Sequence, residues 1–454
     1  MTTLERLGAY LAAGKNLTPS GLASAKLHLL DSVAAWVAGM GTQEGRALLA
    51  FRRETLGDAA EPVSAAVVAH CGLARLSEID DIHIASMTTA GGIVVPAALT
   101  LAVSVAKTDP AGLARAIAGG YDAMIRLGLA LHGPTILYRG IWPTYFGAAF
   151  GVAAVAARLM GLDERQAAHA LAFALTLSAP GVGHHNAATG TRWLAVGLAA
   201  RNGLTAARAA GAGFTSDLNL LDGNFLPSVF DIKPQAGELT RGLDQHVLMQ
   251  DAGFKAWCAA RQTMAAAQAL KEIVVGGVAP DDIAEIEAGV LPPHHQMLDH
   301  GVVAGNRASH LTSLPYQMAI AVVTPGATLD VRQSPAAVPQ LVAALMAKIT
   351  VTQNERLLAR YPKVWPAHVR VATKFGRTHE LEVEFVPGDL RRPLDDAQLK
   401  DKFRSFVTPV LGADGAARMM GLASAALDDA QAPVALLDAI EQTCARSEKG
   451  GIAS

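Results

Sequence analysis

The sequence predicts a mainly α-helical protein with a smaller α+β domain inserted toward its C-terminal end. Apolar residues recur at helical spacing through about the first 260 residues, and the alternation typical of strands begins only after residue 265. Helical patterns return from Pro393 onward. We therefore expect a large helical domain at 1–265, an α+β lid domain at 266–392, and C-terminal helices at 393–454 that rejoin the helical domain.

Capping residues mark the helical segments in order. The first clear helix begins near Ser20 and ends near Gly39. Asp109 and Pro110 begin another, because proline suits the first helical position. Asp163, followed by an acidic first turn, predicts a third helix. An alanine-rich run from Thr205 ends in glycine, as helices often do.

One uncharged segment, 141–157, tests whether the chain could span a membrane. It is shorter than the ~20 apolar residues that a spanning helix needs. Ala149, Ala153 and Ala157 form a stripe of small side chains that lets helices approach closely. We therefore predict a core helix and no membrane partner.

Strand-like alternation marks four segments of the inserted domain. These are residues 283–291, 348–353, 368–374 and 379–386. The last two resemble a hairpin joined by a Gly-Arg-Thr turn, and helical patterns lie at 313–323 and 335–347. This mixture predicts an α+β fold for the insertion.

Composition excludes several classes of protein. The 454 residues are 51% hydrophobic and 17% charged, with a formal net charge of −2, so the chain can bury a large core. The absence of a basic block argues against a nucleic-acid partner, and the small charged fraction suggests that another subunit covers part of the surface. Cys71, Cys258 and Cys444 have no disulfide or zinc spacing, and the N-terminus lacks the pattern of a secretory signal. We expect a cytoplasmic protein.

The densest group of polar residues lies between Glu78 and Pro96. Asp80, Asp81 and His83 could form a general base, because imidazole titrates near neutral pH and a carboxylate can orient it. The alternative is a helix-end cluster in which an Asp caps backbone N–H groups. Metal binding is disfavoured, because no second set of ligands has metal spacing.

The segment Thr88-Thr89-Ala90-Gly91-Gly92 follows directly. Its glycines can expose backbone N–H groups and its threonines add hydroxyl donors, so Thr88 and Thr89 could hold a carboxylate or oxyanion. A simple turn with local hydroxyl caps is the alternative.

An ordered series of segments resembles the MmgE/PrpD superfamily, which includes 2-methylcitrate dehydratase, cis-aconitate decarboxylase and iminodisuccinate epimerase. The segments are Leu30-Asp-Ser-Val-Ala-Ala-Trp, the Asp80-Asp81 stretch, Gly120-Tyr-Asp, Trp142-Pro-Thr-Tyr-Phe-Gly, Ala212-Gly-Phe-Thr, Phe254-Lys-Ala-Trp-Cys, Ser313-Leu-Pro-Tyr and Pro393-Leu-Asp-Asp. The resemblance covers nearly the whole chain. It implies a helical domain with an α+β lid, a homodimer, and a small di- or tricarboxylate substrate, with no metal, flavin or nucleotide cofactor.

The chain departs from the family pattern where proton carriers are usual. Thr88-Thr89-Ala90-Gly91 lies where the family has His-Pro-Ser or a similar triplet. Trp142-Pro143-Thr144 replaces His-Pro-Thr, and Thr191-Arg192-Trp193-Leu194-Ala195 replaces Thr-Lys-Arg-Leu-His. Near Met264 a further expected histidine is missing. Arg192 can clamp a carboxylate but cannot act as a base.

The resemblance extends the candidate site to further residues. Arg139 and Tyr145 flank the Trp142 motif, and His184 or His185 could supply the missing imidazole; an aromatic core and a surface loop are the alternatives. Lys255 and Arg261 could neutralise an acidic substrate or be solvated charges, and Tyr316 could close over the ligand or pack in the lid core. Cys258 is expected to be a buried small side chain.

The residues and the resemblance together predict a cofactor-independent lyase that removes a proton next to a substrate carboxylate. His83, assisted by Asp80 or Asp81, is the expected base, and Tyr145 or Tyr316 the proton donor. Arg139, Arg192, Lys255 and Arg261 form the expected anion-binding set. An epimerase with two proton-transfer groups and a non-catalytic carboxylate-binding protein are the alternatives.

Overall fold

The computed structural model describes residues 1–14, 16–56, 61–178 and 190–448. The protein is mainly helical, with 65% helix and 7% strand, and its four strands form one sheet in the C-terminal part. This confirms the predicted mainly α class.

The described chain divides into two compact units. Unit 1 contains the described residues of 1–178, 191–252 and 396–448, and unit 2 contains Gly190 and residues 253–395. The C-terminal helices thus belong to the same unit as the N-terminal ones. The domain boundaries drawn from the sequence and the lid role of the inserted segment stay predictions.

The elements of unit 1 are all helical. They are α1 Thr3–Ala13, α2 Pro19–Met40, α3 Gln43–Phe51, α4 Pro62–Leu76, α5 Gly91–Ser104, α6 Pro110–Ala130, α7 Gly133–Ile136, α8 Pro143–Met160, α9 Glu164–Thr176, α10 Thr191–Gly211, α11 Phe225–Phe230, α12 Ala236–Thr240, α18 Asp396–Ala425 and α19 Ala432–Glu448. Helix α18 is interrupted at Gly412, whose φ is 71°. The predicted caps are present: Asp109 accepts a hydrogen bond from the backbone of Gly112, and Asp163 forms a capping box with Gln166.

Helix α8 lies in the core of unit 1. It packs against α5, α6, α9 and α10, and 89% of it is buried, which fits a core helix although its length and composition would also suit a membrane. A Cβ added at Gly203 of α10 would lie 2.3 Å from the carbonyl oxygen of Ala149. The small side chains at both positions therefore allow the backbones of α8 and α10 to approach closely.

Unit 2 combines five helices with the sheet. Its elements are α13 Arg261–Val275, β1 Ile283–Val290, α14 Pro292–Leu298, α15 Arg307–Thr312, α16 Leu314–Val323, α17 Gln340–Met346, β2 Ile349–Gln353, β3 Ala367–Thr373 and β4 Thr378–Val383. The strand order is β2–β1–β3–β4, with β1 and β2 parallel and the other pairs antiparallel. Helix α13 packs against β3, β4 and α16. The four predicted strands and the predicted hairpin between β3 and β4 are confirmed.

A buried ion pair joins α18 to α2 within unit 1. The Nζ atom of Lys402 lies 2.5 Å from Oδ1 of Asp31 and donates to the carbonyl oxygen of Ile79 at 2.7 Å. Both side chains are at most 3% exposed. Burial raises the pKa of Asp31, and the Lys402 ammonium opposes that rise. Lys402 therefore compensates a charge that water cannot reach.

Lys402→Met is expected to lower the free energy of unfolding by about 3–5 kcal/mol, because it leaves the Asp31 carboxylate buried without its cation. Chemical denaturation followed by circular dichroism measures this. Lys26→Met is the matched control, since Lys26 pairs with Asp428 at the surface and contributes no more than about 1 kcal/mol. Equal losses in the two variants would contradict the assignment, and Asp31→Leu combined with Lys402→Met should recover part of the loss.

Candidate functional site

The carboxylate of Asp81 lies at the centre of a buried hydrogen-bond network. Its Oδ2 atom is 2.6 Å from Nδ1 of His28 on α2 and accepts from the hydroxyl of Tyr121 on α6 at 2.5 Å. Its Oδ1 atom accepts from the backbone N–H of Gly91, at the start of α5. Burial alone would raise the pKa of Asp81, but the hydrogen bonds from His28, Tyr121 and Gly91 lower it below its usual value. Asp81 is thus an ionised anchor for the N-terminus of α5.

The two glycines that open α5 are required by this packing. A Cβ at Gly91 would lie 2.5 Å from Oγ of Ser32, 2.6 Å from the Tyr121 hydroxyl and 2.8 Å from Oδ2 of Asp81. A Cβ at Gly92 would lie 2.9 Å from Oδ2 of Asp80. The glycines therefore let side chains of the preceding loop approach the helix backbone.

Arg75 forms ion pairs with the other two carboxylates of the loop. It donates to Glu78 at 3.0 Å and to Asp80 at 3.1 Å, and all three side chains are buried or nearly so. Glu78 has a left-handed backbone with φ of 58°, an uncommon conformation for a residue with a side chain. The ion pair with Arg75 stabilises the tight turn at the end of α4.

His83 is buried, and its ring contacts Ser86 rather than either aspartate. Its Nδ1 atom lies 2.9 Å from the Ser86 hydroxyl and accepts from the Ser86 backbone N–H at 3.2 Å. Burial lowers the pKa of His83 to about 4, so the ring is neutral at physiological pH. In the neutral ring the lone pair is therefore on Nδ1, where Ser86 already uses it, and the proton is on Nε2. The expected assistance from Asp80 or Asp81 is not seen as a direct hydrogen bond to Nδ1.

The hydroxyl groups of Thr88 and Thr89 are bonded within the protein. Thr88 donates to the carbonyl oxygen of Ser86 at 3.3 Å and forms an isolated β-bridge with His83. Thr89 contacts Thr144 through its hydroxyl at 3.1 Å and its backbone N–H at 3.0 Å. These contacts join the loop to the beginning of α8, and they match the simple-turn alternative.

Tyr145, Trp142 and Arg192 form a donor-rich group at the N-terminus of α8. The guanidinium of Arg192 stacks 4.6 Å from the centre of the Trp142 ring, and the rings of Trp142 and Tyr145 are 5.5 Å apart. All three residues are at most 8% exposed. Among the residues that the structure describes, the Tyr145 hydroxyl and the Trp142 indole N–H have no hydrogen-bond partner. Burial raises the pKa of Tyr145 to about 12, although Arg75 and Arg192 oppose the rise.

Arg139 contacts the end of α11, and two other predicted residues lie outside the described residues. Arg139 is exposed and donates to the carbonyl oxygens of Phe230 and Asp231 at the end of α11. Two of its donors thus stabilise a helix end. His184 and His185 lie outside the described residues.

The predicted residues of unit 2 are buried, and Arg261 and Tyr316 form contacts within that unit. Arg261 forms an ion pair with Asp389 at 2.6 Å, and its guanidinium is 5.9 Å from the centre of the Trp365 ring. Lys255 is 2% exposed. Tyr316 donates to Gln333 at 3.0 Å, and burial raises its pKa to about 12. The solvated-charge alternative for Lys255 and Arg261 is wrong, since both side chains are buried.

Five residues of the network were not among the predicted site residues. They are His28, Asp31, Arg75, Tyr121 and Lys402. Two of them, His28 and Asp31, could have been found from their spacing in the sequence. They lie three residues apart on α2, which puts two polar side chains on one face of a mostly apolar helix. Lys402 had no such signal, because its partner lies at the other end of the chain.

Taken together, these features define a helical protein with a buried group of hydrogen-bond donors, one of them cationic, beside an anchored acidic loop. Two family models match the sequence: the MmgE/PrpD N-terminal domain at residues 9–231 and the MmgE/PrpD C-terminal domain at residues 257–426. The chain therefore belongs to the MmgE/PrpD family, whose members are generally enzymes of the lyase and dehydratase type. No curated protein matches the chain with significant similarity.

Gly91→Ala is expected to lower the free energy of unfolding by about 1–3 kcal/mol, because the added methyl group overpacks the Asp81–Tyr121 contact. Gly237→Ala is the matched control: a Cβ there meets open space within helix α12, so the change should be neutral or stabilising. Denaturant midpoints of the two variants and the parent give the comparison. A Gly91→Ala variant as stable as the parent would show that the space between Gly91 and the Asp81–Tyr121 contact admits a methyl group.

The depressed pKa of His83 also predicts a pH dependence of stability. The unfolded chain takes up a proton near the usual value of 6.5, whereas folded His83 does so only near 4. Stability should therefore fall as the pH decreases from about 6.5 to 4, by up to about 3 kcal/mol from this group. His83→Gln should reduce the slope of unfolding free energy against pH in this window. An unchanged slope in the variant would argue against a buried neutral imidazole.

Proposed function

We propose that this protein is a cofactor-independent lyase that acts on a small carboxylate in unit 1. The observation that carries the proposal is the group formed by Tyr145, Trp142 and Arg192. Among the described residues, the buried Tyr145 hydroxyl and Trp142 indole N–H have no hydrogen-bond partner, and the Arg192 guanidinium stacks on the Trp142 ring. A buried donor left unpaired costs about 1–3 kcal/mol, so an incoming acceptor is favoured there.

A carboxylate matches this group better than a neutral ligand does. Its oxygens can accept from the Tyr145 hydroxyl and the Trp142 N–H while Arg192 supplies the opposite charge. The N-terminus of α8 begins at Pro143, directly after Trp142, and an 18-residue helix adds a partial positive charge at that end. Arg75 forms ion pairs with both Glu78 and Asp80 and offsets one of their two negative charges.

The same donors suit the chemistry that the family membership suggests. Removing a proton from the carbon next to a carboxylate shifts negative charge onto the carboxylate oxygens. Donors already aimed at those oxygens stabilise that charge without reorganising. Tyr145, with its raised pKa, keeps its proton at neutral pH and can deliver it to a leaving group or to carbon, which ends its own hydrogen bond to the carboxylate. In a dehydration, the electron pair left by the removed proton expels a β-hydroxyl group, which takes the Tyr145 proton and leaves as water. In a decarboxylation, that pair is first reprotonated at another carbon of a conjugated substrate, and the pair released when carbon dioxide leaves then takes up a proton.

His83 is our proposed base, and its hydrogen bond with Ser86 limits when it can act. Its pKa near 4 keeps the imidazole unprotonated at neutral pH, and the same low pKa makes it a weaker base than free imidazole. The Nδ1 lone pair accepts a hydrogen bond from the Ser86 backbone N–H, and this bond must break before Nδ1 can take a proton from the substrate. Substrate binding would therefore have to move Ser86 or the ring before proton transfer.

Two alternative functions would involve the same carboxylate ligand. An epimerase would return the proton to the opposite face of the same carbon. A carboxylate-binding protein without turnover is favoured by one specific observation, the engagement of Asp81 by three donors and of His83 Nδ1 by Ser86. The ligand site is common to all three hypotheses, so binding and turnover have to be measured separately.

Binding is tested by thermal shift with a panel of C3–C6 di- and tricarboxylates. A bound ligand should raise the unfolding midpoint of the parent protein by mass action. Arg192→Met and Tyr145→Phe should weaken binding by about tenfold or more, since each removes a hydrogen bond to a charged group. Arg139→Met is the control and should bind as the parent does. Equal binding by all variants would place the ligand elsewhere.

Turnover of the bound ligand is then followed by mass spectrometry in heavy water. A change of mass by loss of water or carbon dioxide supports the lyase, whereas deuterium entry without such loss supports the epimerase. His83→Gln should abolish turnover but retain binding. Unchanged turnover in this variant would exclude His83 as the base, and binding without any turnover in the parent would favour the non-catalytic alternative.

A further inference from the structure

A second group of polar side chains lies elsewhere in unit 1, between α4 and α19. His70 on α4 faces Glu441 and Cys444, which are three residues apart on α19 and so share one face of that helix. The ring nitrogen, carboxylate oxygen and sulfur atoms all lie within 4.8 Å of one another. His70 and Cys444 are buried and the Glu441 side chain is 37% exposed, so the group can be reached from solvent.

The hydrogen bonds of His70 determine which ring nitrogen is free to bind a cation. The Thr100 hydroxyl donates its single hydrogen to the carbonyl oxygen of Pro96 at 2.7 Å. Its contact with Nδ1 of His70 at 2.9 Å therefore requires that Nδ1 carry the proton. The Nε2 lone pair then points away from Thr100. A second partner that fixes the tautomer in this way is typical of histidines that bind metals.

The Nε2 atom of His70 faces another acceptor. It lies 3.1 Å from Oε1 of Glu441, and two acceptors at that distance repel unless a positive centre lies between them. In the structure the Arg52 guanidinium lies beside both atoms and supplies positive charge, and a second ring proton or a metal cation would do the same. The nearby sulfur of Cys444 favours a metal, because a thiol adds nothing to an ion pair or a proton bridge but is a strong ligand for a soft or borderline metal.

We propose that His70, Glu441 and Cys444 form a binding site for a divalent zinc-type cation, separate from the proposed carboxylate site. Imidazole, carboxylate and thiolate in a three-ligand set match the preferences of Zn²⁺, and water completes the fourth position. Cys444 loses its thiol proton to solvent on binding, so one proton is released and no oxidation or reduction occurs. Tetrahedral bonds imply donor separations of roughly 3.3–3.8 Å, so the side chains must close by about 1 Å.

Arg52 controls access to this site. Its guanidinium makes a bidentate contact with Glu441 at 2.9 and 3.0 Å and lies 3.4 Å from Nε2 of His70. A divalent cation must displace it or accept its repulsion. The Arg52 side chain is 22% exposed and can turn toward water. Arg52 thus makes metal binding weaker than the ligand set alone would give.

The test uses the full chain, stripped with a chelator, and Co²⁺ as an optical probe for Zn²⁺. We expect a near-ultraviolet sulfur-to-cobalt charge-transfer band that saturates at one Co²⁺ per chain and is reversed by Zn²⁺. Cys444→Ser should abolish the band and weaken binding at least about tenfold. Cys71→Ser is the matched control and should keep it, because serine can make the same hydrogen bond to Ile93 as the Cys71 thiol.

Arg52→Gln tests whether the Arg52 guanidinium competes with the cation for this site. This variant should bind Co²⁺ about tenfold or more tightly than the parent, since a competing positive charge is removed. Circular dichroism verifies that each variant is folded. A band that persists in Cys444→Ser, its absence in both the parent and Arg52→Gln, or its presence in Arg52→Gln alone would each overturn the proposal.

Discussion

The buried carboxylate of Asp81 determines how the candidate site is assembled. It bonds to His28 on α2, to Tyr121 on α6 and to the first backbone N–H of α5, so three helices meet through one side chain. A charge removed from water is tolerated only when such partners surround it. The same requirement explains Gly91, since a methyl group there would occupy the space of the Tyr121 hydroxyl.

The ion pair between Lys402 and Asp31 extends this arrangement to the C-terminal helices. Asp31 lies one helical turn after His28 on α2, and Lys402 also bonds to the carbonyl oxygen of Ile79, directly before Asp80. The acidic loop is therefore held from both sides by buried charges. Loops that carry binding residues are commonly positioned by a rigid scaffold, and here the scaffold is a polar network inside an apolar bundle.

Two residues that depart from the expected family motifs, Trp142 and Arg192, lie together at the start of α8. The sequence resemblance predicts that Trp142 stands in place of a family histidine and Arg192 in place of a family lysine. The two substituted side chains stack on each other at 4.6 Å. Both are donors that do not exchange protons at neutral pH, so this part of the site favours binding an anion over transferring a proton.

The sequence by itself determined the mainly helical class, the capped helix starts, the four strands and the resemblance to the family, because hydrophobic period and capping residues are local signals. It also located the loop from Asp80 to Thr89 as a polar cluster. It could not determine which partner each polar side chain would have. Asp81 pairs with His28 instead of His83, and Lys402 pairs with Asp31, because hydrogen bonds between residues far apart in the chain exist only after the helices pack. Only the tertiary structure therefore decided that, among the described residues, the donors of Trp142 and Tyr145 have no partner, and it is there that we propose a ligand site.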